Sequence, residues 1–146
     1  MVHRLDGRAT WLVGRAHLRS HGLLQEAFAA AGARPYHYRL LAALEESGPL
    51  SQAELGRAAG LDRGDVTRSL DVLGGSGLIL REPDPADRKR NRVSITRAGR
   101  AELYRLDAVL TEVQERFLAP LSAGERAVFL GLVARLARDP EGAREA

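Results

Sequence analysis

The chain has 146 residues, 45% of them hydrophobic and 28% charged, with a formal net charge of +3 and no cysteine. That length suits a single domain with a sizeable core, and the missing cysteine excludes disulfides, thiol nucleophiles, thiolate zinc sites and thiol-based peroxide sensing. The longest apolar run, AVFLGLVA at 127–134, is too short to cross a bilayer, and charge interrupts any signal-like core near the N-terminus, so a cytoplasmic chain with no membrane partner is expected. Three Phe, three Tyr and one Trp are too few for an aromatic-rich β-sandwich, whereas abundant Ala, Leu, Arg and Glu favour helix. Cations concentrate centrally: residues 1–50 carry 6 against 4 anions, 51–100 carry 10 against 7, and 101–146 carry 6 against 8. A basic middle third is an electrostatic footprint for a polyanion.

In chain order, Leu12, Ala16, Leu23, Leu24, Ala27 and Phe28 recur at helical intervals and predict a long first helix from about Asp6 to Ala31, with a bend at Gly22. GARP at 32–35 stops it, and Pro35 suits the first turn of a second helix, Tyr36 to about Glu46, with Tyr38, Leu41 and Leu44 inward. SGPLS closes that helix. Ser51 and Glu54 in SQAE form a capping box for a short third helix ending near Ala59. Gly60 supplies the turn, and Asp62 caps a fourth helix from Arg63 to about Leu73, with Val66, Leu70 and Leu73 on one side. Two short helices joined by AGLD read as a helix-turn-helix.

The face of the fourth helix opposite its core side carries Gly64, Thr67, Arg68 and Asp71, flanked by Arg63 and Asp65. Small residues permit close backbone approach to a groove, Arg suits guanine O6/N7, and short hydroxyls suit phosphates. Asp65 and Asp71 either accept from cytosine N4 or pair with a neighbouring Arg. GGSG at 74–77 ends the helix, and LILRE at 78–82 and RVSIT at 92–96 read as hairpin arms. Between them DPADRKRNR is a stiff, basic tip. Its prolines limit the entropy lost on ordering, Asp87 can brace an adjacent Arg, and Arg88, Lys89, Arg90 and Arg92 offer phosphate partners or a minor-groove probe. With Ser51 and Gln52 at the start of the third helix, these residues complete the predicted DNA-facing set.

From Leu50 to Arg100 the motifs VTRSLDVL, the GLI strand entry, the DPADRK wing and ITRAG follow in order. In that combination, and over nearly its whole length, the chain resembles the multiple-antibiotic-resistance regulator (MarR) family of bacterial winged-helix transcription factors. The resemblance implies a mainly α fold with a small β-hairpin wing: a winged helix-turn-helix with N- and C-terminal dimerisation helices. It implies a single domain over 1–146, with residues 35–100 binding DNA and residues 1–34 and 101–146 dimerising. It further implies a homodimer on a pseudo-palindromic double-stranded operator, the fourth helix in the major groove and the wing in the adjacent minor groove. Arg63, Thr67 and Arg68 match recognition-helix positions and Asp87 to Arg90 the wing, although many relatives have Arg where this chain has Lys89. Repression relieved by a small ligand, with no cofactor and no enzymatic activity, is the implied mode.

Thr96 can cap a fifth helix on which Leu103, Leu106, Leu110, Val113 and Phe117 alternate by three and four, a packing seam for a second copy or for the first helix of the same chain. PLSAGE at 120–125 breaks the chain and recaps it through Ser122 and Glu125, opening a sixth helix with Phe129, Leu132, Val133 and Leu136 available for burial. Relatives commonly sense a small, often anionic and aromatic effector between the dimer helices and the winged domain; here Trp11, Arg15, His21, Tyr36 and Tyr38 are the candidates to border such a cleft. Two other readings compete. His17 and His21 have the spacing of two metal ligands on one helix face, with His3 and His37 as further donors, but HLRSH lacks the Glu of a zinc-protease helix. Alternatively, the winged helix docks onto protein rather than DNA.

Overall fold

The computed structural model describes residues 2–138. Over these residues it holds seven helices and three strands: α1 (His3–Asp6), α2 (Ala9–Ala30), α3 (Pro35–Ser47), β1 (Leu50–Ser51), α4 (Gln52–Ala59), α5 (Arg63–Gly75), β2 (Ile79–Pro83), β3 (Asn91–Ile95), α6 (Arg97–Leu118) and α7 (Ala123–Ala137). The predicted winged helix-turn-helix is present. Its local signals act as read: Ser51 with Glu54 and Ser122 with Glu125 form complete capping boxes, and Asp62 and Thr96 cap α5 and α6. Gly60 takes φ 65°, a left-handed turn closed to most side chains.

Three features differ from the sequence reading. The first helix is two: α1 is a single turn ending at Asp6, and α2 begins only at Ala9. Gly7 between them has the poor helix propensity that makes such a break cheap. Gly22, expected to bend the long helix, lies within an unbroken α2. SGPLS holds a strand as well as a turn, since Leu50 pairs with Val93 and Ser51 with Arg92, making an antiparallel sheet in the order β1-β3-β2.

One cluster joins Leu40, Leu41 and Leu44 of α3 to Leu55 of α4, Val66, Leu70 and Leu73 of α5, Ile79 and Val93 of the sheet, and Leu103 of α6. Burying each such side chain contributes about 1.5–3 kcal/mol. The start of α6 is clamped to the entry of β2. Thr96 donates its hydroxyl to the Gly77 carbonyl at 2.7 Å and its amide to that of Leu78 at 3.1 Å. Gly99 is obligatory there, because a Cβ would stand 2.1 Å from the Leu78 carbonyl oxygen.

α2 packs along α6, with Phe28, Leu106, Val113 and Leu118 buried. Arg19 fixes the far end of the pair, donating to the carbonyls of Phe117 at 2.7 Å and Arg116 at 2.9 Å, and Arg105 donates to the Ala31 carbonyl at the end of α2. The α6 seam is thus used mainly within the chain. What stays uncovered is elsewhere: Trp11, Leu12, Val13 and Leu18 on α2, and Val128, Leu130, Leu132, Val133 and Leu136 on α7, the last 77% exposed. Among the described residues, no single helix is long and apolar enough to cross a membrane.

Candidate nucleic-acid interface

Burial of Val66, Ser69, Leu70 and Leu73 turns the opposite side of α5 outward, where Arg63, Thr67, Arg68 and Asp71 are all exposed. Gly64 and Asp65 are partly covered. The Thr67 hydroxyl donates to the Arg63 carbonyl at 2.9 Å. Asp62 accepts the Asp65 amide at 2.8 Å, and that bond holds its carboxyl below the usual carboxylate range. Both carboxylates whose role the sequence left open hold an arginine: Asp65 pairs with Arg68 at 2.5 Å, and Asp71 with Arg81 of β2 at 2.9 Å. Pairs with one partner open to solvent contribute about 0–1 kcal/mol, so the carboxylate positions the arginine without locking it.

The wing is ordered by its aspartates. Asp84 Oδ1 accepts the Ala86 amide and Asp87 Oδ1 the Lys89 amide, while the Asp84 amide donates to the Arg90 carbonyl at 2.8 Å. Asp87 also faces Arg90 at 3.6 Å, so the brace falls three residues on rather than on the adjacent Arg88. The tip cations diverge. Lys89 and Arg90 line an open groove of about 930 Å³ with Ser51, Gln52, Arg57, Arg63 and Asn91, whereas Arg88 flanks a cleft with Pro83, Asp84 and Pro85. Arg92 lies inside β3, opposite Ser51 and Glu82.

The groove therefore joins three separate stretches of chain: α4 from its cap to the turn that follows it, the start of α5, and the wing. Arg57 and Asn91 line this groove, and Arg81 is held against α5 by Asp71; all three were missed in the sequence. Arg57 was accessible to the same helical projection used for α5, since a wheel of α4 with Leu55 inward turns it outward. Arg81 and Asn91 had no such signal, because only the folded hairpin brings them to the helix-turn-helix.

A MarR-family sequence profile matches residues 32–90. The HTH-type transcriptional repressor NicR of Pseudomonas putida is 29% identical over 132 residues, which cover 90% of this chain and 84% of that protein. The crystal structure of a probable transcriptional regulator from Pseudomonas aeruginosa is similar with a TM-score of 0.80 at 36% identity, over 90% of this chain and 98% of that one. The chain belongs to the MarR family. As such it is a DNA-binding transcriptional regulator. The PcaV regulator of Streptomyces coelicolor, solved with its natural ligand, extends the likeness at 32% identity and a TM-score of 0.77, over 91% of this chain and 94% of that one.

In this MarR-family chain the effector candidates are dispersed. Trp11, Arg15 and His21 occupy exposed positions of α2. Tyr36 is exposed with the Arg39 guanidinium 5.5 Å from its ring centre. Tyr38 is half-buried and donates to Asp107 Oδ1 at 2.7 Å, a bond that pushes its pKa up to about 12. None of these five lines the groove beside the wing. The four histidines are not gathered either: His37 is buried in α3, His3 is exposed in α1, and only His17 and His21 adjoin. Among the described residues, no three His, Cys, Asp or Glu side chains are placed to hold a metal ion.

Proposed function

We propose that the chain acts as a homodimeric, sequence-specific repressor, with α5 in the major groove of a pseudo-palindromic operator and the wing at the neighbouring minor groove. The observation that carries this reading is the groove that sets Arg57 and Arg63 of the helix-turn-helix beside Lys89 and Arg90 of the wing, four cations from distant sequence against the one carboxylate of Glu54. Arg63, Thr67 and Arg68 are the base-reading candidates. Ser51, Gln52, Arg57 and the wing cations serve as phosphate partners that fix register. The large apolar side chains of α2 and α7 left open in the single chain supply the dimer contact.

Repression is favoured by the likeness to NicR, named a repressor. Release by a small ligand is favoured by the likeness to PcaV, solved with its natural ligand, and an aromatic ligand by the aromatic first turn of α3. Tyr36 and Tyr38 there, with Trp11, Arg15 and His21 of α2, are the residues assigned to it. Selection of bound sites from random duplexes tests the whole reading: half-sites with centres about 10–10.5 bp apart, one turn of DNA, are expected. Failure to enrich any sequence in dilute buffer would sink it.

A further inference from the structure

We propose that His17 and His21 form an open chelating site for a borderline transition-metal ion of the zinc or nickel class. The two side chains leave α2 on successive turns of one face, both exposed, with ring centres 5.8 Å apart and planes inclined by only 27°. Two imidazoles bound through nitrogen to one tetrahedral zinc, at 2.0–2.1 Å per bond, have ring centres about 5 Å apart. The stacked rings do not themselves aim two nitrogens at one point, but rotation about the side-chain torsions can turn one nitrogen of each ring toward a shared ion without any movement of the helix.

The local charge also permits it. Arg19, between the two histidines in sequence, is drawn away to the carbonyls of Phe117 and Arg116 at the end of α6. Arg15 stands two residues before His17 and so on the far side of the helix. Neutral imidazole suits zinc, nickel and copper rather than magnesium or calcium, which take oxygen donors. With no third His, Asp or Glu assembled beside the pair among the described residues, the remaining coordination positions fall to water. The site is thus an open one, distinct from the basic groove of α4, α5 and the wing.

Calorimetric titration of the DNA-free chain with zinc chloride and with nickel chloride tests this, at about pH 7.5 where ordinary imidazoles are neutral. One ion per chain is expected. Affinity should fall by at least roughly tenfold in His17→Ala and equally in His21→Ala, because either substitution removes the chelate. His3→Ala should bind as the parent does, and magnesium chloride should give no binding. Thermal unfolding of the two variants should match the parent, since both rings are exposed. The proposal is overturned if no ion binds up to about 1 mM, if either single variant retains full affinity, or if His3→Ala loses as much as the others.

Discussion

Arg68 shows how a surface side chain can be held ready without being fixed. Its pairing with Asp65 steers the guanidinium over the outward face of α5, yet the pair is exposed enough to exchange partners. Arg68→Ala is expected to cost about 1–3 kcal/mol at particular base pairs, the value of one bidentate contact. Binding to operators substituted one position at a time checks this; equal weakening on every duplex would assign the side chain to phosphate instead. His37 behaves differently, because it is enclosed. Burial, reinforced by Arg34 and opposed by Glu102, lowers its pKa from 6.5. The unfolded chain then binds the proton more readily than the folded one, so stability present above about pH 6.5 is lost as pH falls below it. The capping carboxylates Glu54, Asp62 and Glu125 are also lowered, from 4.5, 3.8 and 4.5, and their contributions fade only in that more acid range. Urea midpoints between about pH 7 and 5 should therefore decline in the parent and decline less in His37→Gln. Identical slopes would mean that the ring gains its proton without cost to the fold.

Among the elements, the wing has the clearest division of labour: Lys89 and Arg90 line the groove while Arg88 turns to the proline side. Replacing Arg88 and Lys89 together by Ala is expected to weaken operator binding and to flatten the dependence of log K on log salt by about 0.9 for each phosphate no longer neutralised. An unchanged slope would place both side chains in water. Signals confined to a few residues were readable in the sequence: both capping boxes, the Asp62 and Thr96 caps, and the helical period of α5 needed no knowledge of distant chain. β1 was not readable, because two residues have no period and Leu50 and Ser51 become a strand only by pairing with Val93 and Arg92. The α6 stripe was visible as a buried face, but periodicity cannot say against what, and α2 of the same chain takes most of it. Likewise the wheel that found Arg68 could not find Arg81, whose place beside Asp71 depends on the return of the hairpin.

For the molecule as a whole, α7 is the element least explained by a single chain. It buries no residue fully, yet presents five large aliphatic side chains to the outside. Leu132→Glu with Leu136→Glu is expected to yield monomers in sedimentation equilibrium while far-UV circular dichroism stays at the parent value, since neither side chain supports the fold of one chain. A parent that is itself monomeric at micromolar concentration would contradict the dimer reading.

The internal carboxylates of the DNA-facing surface also bear on what the regulator ignores. Asp65, Asp71 and Asp87 act as tethered counterions for Arg68, Arg81 and Arg90. In the proposed docking, phosphate exchanges with these counterions, and each displaced aspartate stays close to the incoming phosphate and repels it. On that reading random duplexes gain little from the exchange, and loose adhesion to the bulk of a genome is expected to be weak. In the proposed docking, a site that offers major-groove cytosine amines to the freed Asp65 or Asp71 removes that repulsion, and discrimination is then expected from acids that a plain count of basic residues would treat as a defect.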